Sequence, residues 1–227
     1  MTFSPKTLSG RIVHLKDGGE QWGRERFSMS TWDGGRVMRA VTEFDDRKVM
    51  REASWSVGAD WSAREAFTRE VIDGEFVSHC WFRVDGEAVE CEAFSKAMGR
   101  VSQRLAVGRP VDYLGLHTIL ADVLVAAARG CTEPGVEKPV TCVTNSVGDY
   151  GVGGYYAQAV SPLVTYIGPD AVEVPAGQFT GEHFRVRWSD ITPHYSDFWV
   201  TQGDFLPLRL LGAFGPVSYE LAELDLG

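Results

Sequence analysis

Between Val174 and Leu224 the chain alternates polar and apolar residues with a period of two, and this constrains its fold more than any other feature. Phe184, Val186 and Trp188 fall on one side of an extended segment, and His183, Arg185 and Arg187 on the other. Successive side chains of a β-strand point to opposite faces of its sheet. On a flat surface strand the basic row would lie in water. In a strongly curved sheet, the same row can instead line the floor of a cavity, so both placements stay open.

The same texture fills the first third. Strands are expected at Arg24–Thr31, Arg36–Phe44, Lys48–Val57, Ala66–Val71 and Glu75–Val84, with more at Ala88–Ala93 and Arg100–Val107. Asp33-Gly34-Gly35, Asp45-Asp46, Asp73-Gly74 and Asp85-Gly86 separate them. The two Asp-Gly pairs are tight hairpin signals, because glycine supplies the positive φ of a primed turn. One segment has a helical period. From Asp112 to Arg129, Tyr113, Leu116, Leu120, Val123, Leu124 and Ala127 recur every three or four residues. Asp112 is the expected N-cap and Gly130 the stop. Strand resumes at Val140–Asn145. The Gly-rich Ser146–Gly154 that follows reads as a mobile loop, since no helix comes after it to hold a dinucleotide phosphate.

A formal net charge of −9 argues against nucleic acid and against anionic membrane surfaces, which select basic patches. No apolar run is long enough to span a membrane, and no export signal is visible, so the expected location is cytoplasmic. Cys80, Cys91, Cys131 and Cys142 lack metal-type spacing and read as reduced thiols, with neither metal nor other cofactor expected.

The segment TYIGPDAVEVPAGQF, then FRVRW, FWV, LPLRL and the terminal YELAEL, resembles a bacterial domain family related to the Lol-type lipoprotein carriers and glycolipid-binding half-barrels. The matching parts are Val174–Phe179, Trp199, Pro207–Arg209 and Tyr219–Leu224, within roughly the last half of the chain. The resemblance implies a curved antiparallel sheet closed by one or a few helices. Together with the strand rhythm, it gives an α+β, β-rich fold class: one half-barrel domain over residues 1–227, with the Asp112–Arg129 helix plugging its concave face.

The candidate catalytic set is His183, Arg185, Tyr195, Asp197 and His117. Tyr195, Asp197 and Trp199 alternate on the next strand, and His117 lies in the helical stripe. The expectation is that these groups converge, with Arg stabilising developing charge and His, Tyr or Asp moving protons. His117 also fits a hydrogen-bonded core histidine, and the basic row also fits a solvated face. His79, Trp81, Arg104, Tyr155, Tyr156 and Trp199 are the candidate substrate contacts. The expected function is cofactor-independent lyase, isomerase or hydratase chemistry on a small hydrophobic or aromatic molecule. The alternative is a non-catalytic binding or carrier protein for a lipid-like ligand. A homodimer is compatible with either.

Overall fold

The computed structural model describes residues 5–147, 155–188, 195–212 and 215–227. Its strands are β1 (Lys6–Lys16), β2 (Gln21–Trp32), β3 (Gly35–Phe44), β4 (Val49–Gly58), β5 (Ala63–Ile72), β6 (Glu75–Asp85), β7 (Ala88–Ser95), β8 (Gly99–Ala106) and β9 (Tyr113–Gly115). After the helix α1 (Ile119–Arg129) come β10 (Glu137–Pro139), β11 (Cys142–Thr144), β12 (Gln158–Val160), β13 (Leu163–Val174), β14 (Gly177–Arg187), β15 (Tyr195–Val200), β16 (Pro207–Leu211) and β17 (Val217–Asp225). Fourteen strands form one curved antiparallel sheet in the order β10-β13-β14-β15-β16-β17-β1-β2-β3-β4-β5-β6-β7-β8. The first and last strands of the chain are therefore neighbours, with His14 opposite Tyr219. Nearly every connection is a hairpin, and the Asp73-Gly74 turn has φ of 53° and 78°, as its sequence demands.

Alternation decides which face is buried. Met29, Met38, Trp55, Ala66, Phe82 and Cys91 on β2–β7 point inward, as do Phe184, Val186, Phe198, Val200 and Leu210 on β14–β16. Both sets join α1 in one core. The helix, the single one among the described residues, is buried at Leu120, Val123, Leu124, Val125 and Ala126. No helix among the described residues is long and apolar enough to cross a membrane.

The helix is shorter than its stripe. It starts at Ile119, and Thr118 is its N-cap, with Oγ1 accepting from the Ala121 amide. Residues 113–115 form β9, which pairs parallel with β11. Asp112 caps nothing helical; its carboxylate accepts from the Thr141 amide at 2.7 Å. The apolar period continued into a fully buried strand, where every side chain is inside and helical spacing cannot be told from extended chain. The stop is as expected, with Gly130 at φ 68° and its amide bonded to Ala126 O. Most of the Gly-rich loop, residues 148–154, lies outside the described residues.

The two edges of the sheet, β8 and β10, do not pair with each other. The side chain of Gln103, on β8 itself, gives Ala157 the pair of bonds a strand would. Its Oε1 accepts from the Ala157 amide and its Nε2 donates to the Ala157 carbonyl, at 2.9 and 3.1 Å.

Candidate functional site

One end of the inner face carries a row of polar side chains. Glu25, Thr42, Arg51, Glu70, Ser78 and Ser95 stand directly opposite one another in turn from β2 to β7, and all are buried. Such groups are tolerated inside only when they are bonded. Glu25 accepts from Thr42 Oγ1 at 2.6 Å and from the Ile119 and Leu120 amides at 2.8 Å each. A carboxylate from the sheet thus caps the first turn of α1, where the helix dipole favours an anion. Arg51 donates from Nε and Nη2 to Glu70 Oε1 at 2.9 and 2.7 Å, and from Nη1 to His117 O at 2.5 Å. Ser78 donates to the other oxygen of Glu70.

Two titratable groups flank this row. Burial, then the neighbouring charge of Arg51, hold His117 down to about 4 against the opposing pull of Ser146 O, which lies 2.8 Å from its Nε2, with Thr144 Oγ1 at 3.1 Å. Burial, reinforced by Glu25, pushes the Asp122 carboxyl up to about 8. Glu25 and Arg51 of this row fix the start of the helix. The row's hydrogen bonds run to other protein groups, so it reads as a structural belt.

The opposite end is built differently. Arg36, Val57 and Ala63 share a row at the rim of the inner face. Beneath them, a slot between the sheet and α1 is lined by Trp55, Trp61, Tyr113, Leu114, Leu124 and Ala127, and it holds about 10 Å³. That is room for roughly one water. Trp55 Nε1 donates to Leu114 O at 2.9 Å, which fixes the indole as a wall. Trp61 sits in the β4–β5 turn and Phe205 in the β15–β16 connection, and they meet edge to face at 5.5 Å. Both have positive φ, 67° and 48°. That conformation is strained for bulky side chains, and such strain is held where surrounding structure over-determines it. Arg36 lies over the Trp61 ring at 4.0 Å. Its Nη1 donates to Gly58 O and Ala59 O, while its buried Nε has no hydrogen-bond partner.

The expected catalytic set does not converge. His183, Arg185, Asp197 and Trp199 do come together. The His183 and Trp199 rings stack at 4.2 Å, and Asp197 accepts from His183 Nε2 at 2.8 Å and from Arg185 Nε at 3.1 Å. They lie on the outer face, however, because Phe184, Val186 and Phe198 occupy the core side. Tyr195 is exposed on the same outer face, and Arg185 is 49% exposed. His117 is inside, with the sheet between it and the others. The alternation of β14 was legible, but it carries no information about which face is wet.

The expected substrate contacts scatter as well. His79 and Trp81 are on the outer face of β6, where His79 stacks with Phe67 and Phe94. Arg104 on edge strand β8 pairs with Asp85 and Glu90. Tyr155 is buried and Tyr156 exposed. The residues of the slot were missed. Their local signal is an aromatic directly after an acid in a turn, Asp60-Trp61 and Asp204-Phe205, where polar residues ordinarily dominate.

No protein-family model matches the chain, and no curated protein does. Solved structures do. A β-barrel-like protein of the domain of unknown function DUF1849 from Brucella abortus superposes with a TM-score of 0.57 at 13% identity, covering 98% of each chain. A DUF1089 family protein from Pseudomonas aeruginosa gives 0.53 at 10% identity, covering 84% of this chain and 91% of its own. The likeness is one of fold. It supports an uncharacterised β-barrel-like domain and does not reach the Lol-type or glycolipid-binding assignment.

Proposed function

We propose that this chain is a non-catalytic binding protein for a molecule with an apolar, lipid-like body, taken up between α1 and the inner face at the Trp61–Phe205 end. The observation that carries this reading is the slot itself. Three aromatic walls and two helix side chains line it, and Phe205, from the other half of the sheet, packs edge to face on one of those walls, Trp61. Ligand sites are mostly apolar and aromatic with a few placed polar groups, and the slot has that composition. Trp61 and Phe205 both sit in connections between strands, so relaxing their backbones opens the slot without breaking the sheet. The proton-transfer reading has less support, because its residues are divided between the two faces.

The test uses N-phenyl-1-naphthylamine, a neutral apolar fluorophore. Its emission should rise and saturate at one equivalent of protein. Ala127→Trp, which fills the slot from the helix side, should abolish the saturable phase while far-ultraviolet circular dichroism stays unchanged. Absence of saturation, or binding that survives Ala127→Trp, overturns the reading.

A further inference from the structure

We propose that the mouth of this slot selects ligands with an anionic head, a carboxylate or a sulfate on an apolar chain, and that Arg36 is the group that holds that head. The inference rests on the slot reading above and adds the chemistry of the other end of the ligand.

Arg36 differs from several other arginines of the chain. Arg24, Arg51, Arg83, Arg104 and Arg209 each touch a carboxylate. Arg36 touches none among the described residues. It is held by two backbone carbonyls and the face of Trp61, contacts that fix the plane of the guanidinium without neutralising it. Half-burying a cation without an anion is costly, and proteins ordinarily supply a partner. Burial accordingly lowers its affinity for the proton, with Asp204 as the counter-charge within electrostatic reach. Arg64, exposed and bonded to Gly34 O, is a second cation beside the turn that holds Arg36.

Position then follows from register. Arg36 shares an inner-face row with Val57 and Ala63, both slot-lining, and stacks on Trp61, which lines the slot as well. A chain lying in the slot would therefore emerge beside the guanidinium. The buried Nε lacks a partner, and a planar fork suits two carboxylate or sulfate oxygens.

Competition decides the matter. N-phenyl-1-naphthylamine bound to the wild type is displaced with oleate, oleyl alcohol and oleylamine, which share one chain and differ in head. Oleate should displace the probe at concentrations about tenfold or more below those of oleyl alcohol, with oleylamine weakest. In Arg36→Gln the preference for oleate over the alcohol should collapse while probe affinity is retained. Arg36→Lys, which keeps the charge, should retain part of the preference and guards against reading a folding defect as lost recognition. Equal displacement by oleate and alcohol in the wild type overturns the anionic head and leaves the slot standing. So does a preference that survives in Arg36→Gln. Failure of the probe itself to saturate overturns the slot, and this inference with it.

Discussion

Arg51 and Glu70 stand directly opposite each other on β4 and β5, each side chain 1% exposed, and two guanidinium nitrogens share one carboxylate oxygen. The pair ties the sheet to the helix, since Arg51 also holds the carbonyl of His117, two residues before the first helical residue. A buried ion pair owes its attraction to the low dielectric around it and loses much of that gain to desolvation. Removing one partner is therefore far worse than removing both. Arg51→Met should cost about 3–5 kcal/mol in urea unfolding, and Arg51→Met with Glu70→Leu should recover most of it. A double variant no better than the single one would show that the contacts to His117 O and Ser78 dominate.

His14 makes a sharper demand on pH. Its ring is fully buried against Trp22, Phe44 and Tyr219, and neither ring nitrogen has a hydrogen-bond partner among the described residues. Burial, then the charge of Arg24, hold it down to about 3. The unfolded chain takes up this proton near pH 6.5 and the folded chain does not. Stability is therefore present above about 6.5 and drains away as pH falls toward 3. At pH 5 the loss is about 2 kcal/mol relative to pH 8. His14→Phe should remove that loss, and melting curves of both proteins at pH 5 and 8 measure it.

Asp122 has the opposite sign. Its carboxyl is pushed up to about 8 by burial and by Glu25, so the folded state keeps a proton that the unfolded state releases near 4. Its contribution is whole below about pH 4 and is lost as pH rises through 8. Asp122→Asn should gain at least about 1 kcal/mol over wild type at pH 9 and nothing at pH 4. Equal gains at both values would mean that Asp122 does not titrate in this window.

Leu120 is fully buried in the helix face that meets the sheet. Leu120→Ala should cost about 2–5 kcal/mol through lost transfer energy and the cavity left behind. Equilibrium unfolding with a change below about 0.5 kcal/mol would place the helix off the core.

The outer ladder offers the control. Asp197→Ala removes the partner of His183 and Arg185 on a partly hydrated face. It should shift stability by about 1 kcal/mol or less and leave N-phenyl-1-naphthylamine binding as in the wild type. A larger loss of probe binding would bring this face back into the site.

Much of the sheet could be read from the chain because its signals are local. The alternation of Phe184, Val186 and Trp188, the Asp73-Gly74 and Asp85-Gly86 turns, and the Gly130 stop each depend on neighbours within a few residues. The start of α1 was not legible. Tyr113 and Leu116 fit a helical stripe as well as a buried strand, and the choice fell to Glu25, a residue of β2 whose carboxylate meets the Ile119 and Leu120 amides. The face of β14 was not legible either. Period two separates His183 from Phe184, but only the closing of β1–β8 and β13–β17 around one helix makes the Phe184 side the dry one. The slot was furthest from reach. Trp61 and Phe205 lie in connections at opposite ends of the chain, and only curvature accumulated over many strands brings their rings to 5.5 Å. Short-range periodicity sets the strands and turns; contacts between distant residues decide which surface is interior, and so where a ligand can be held.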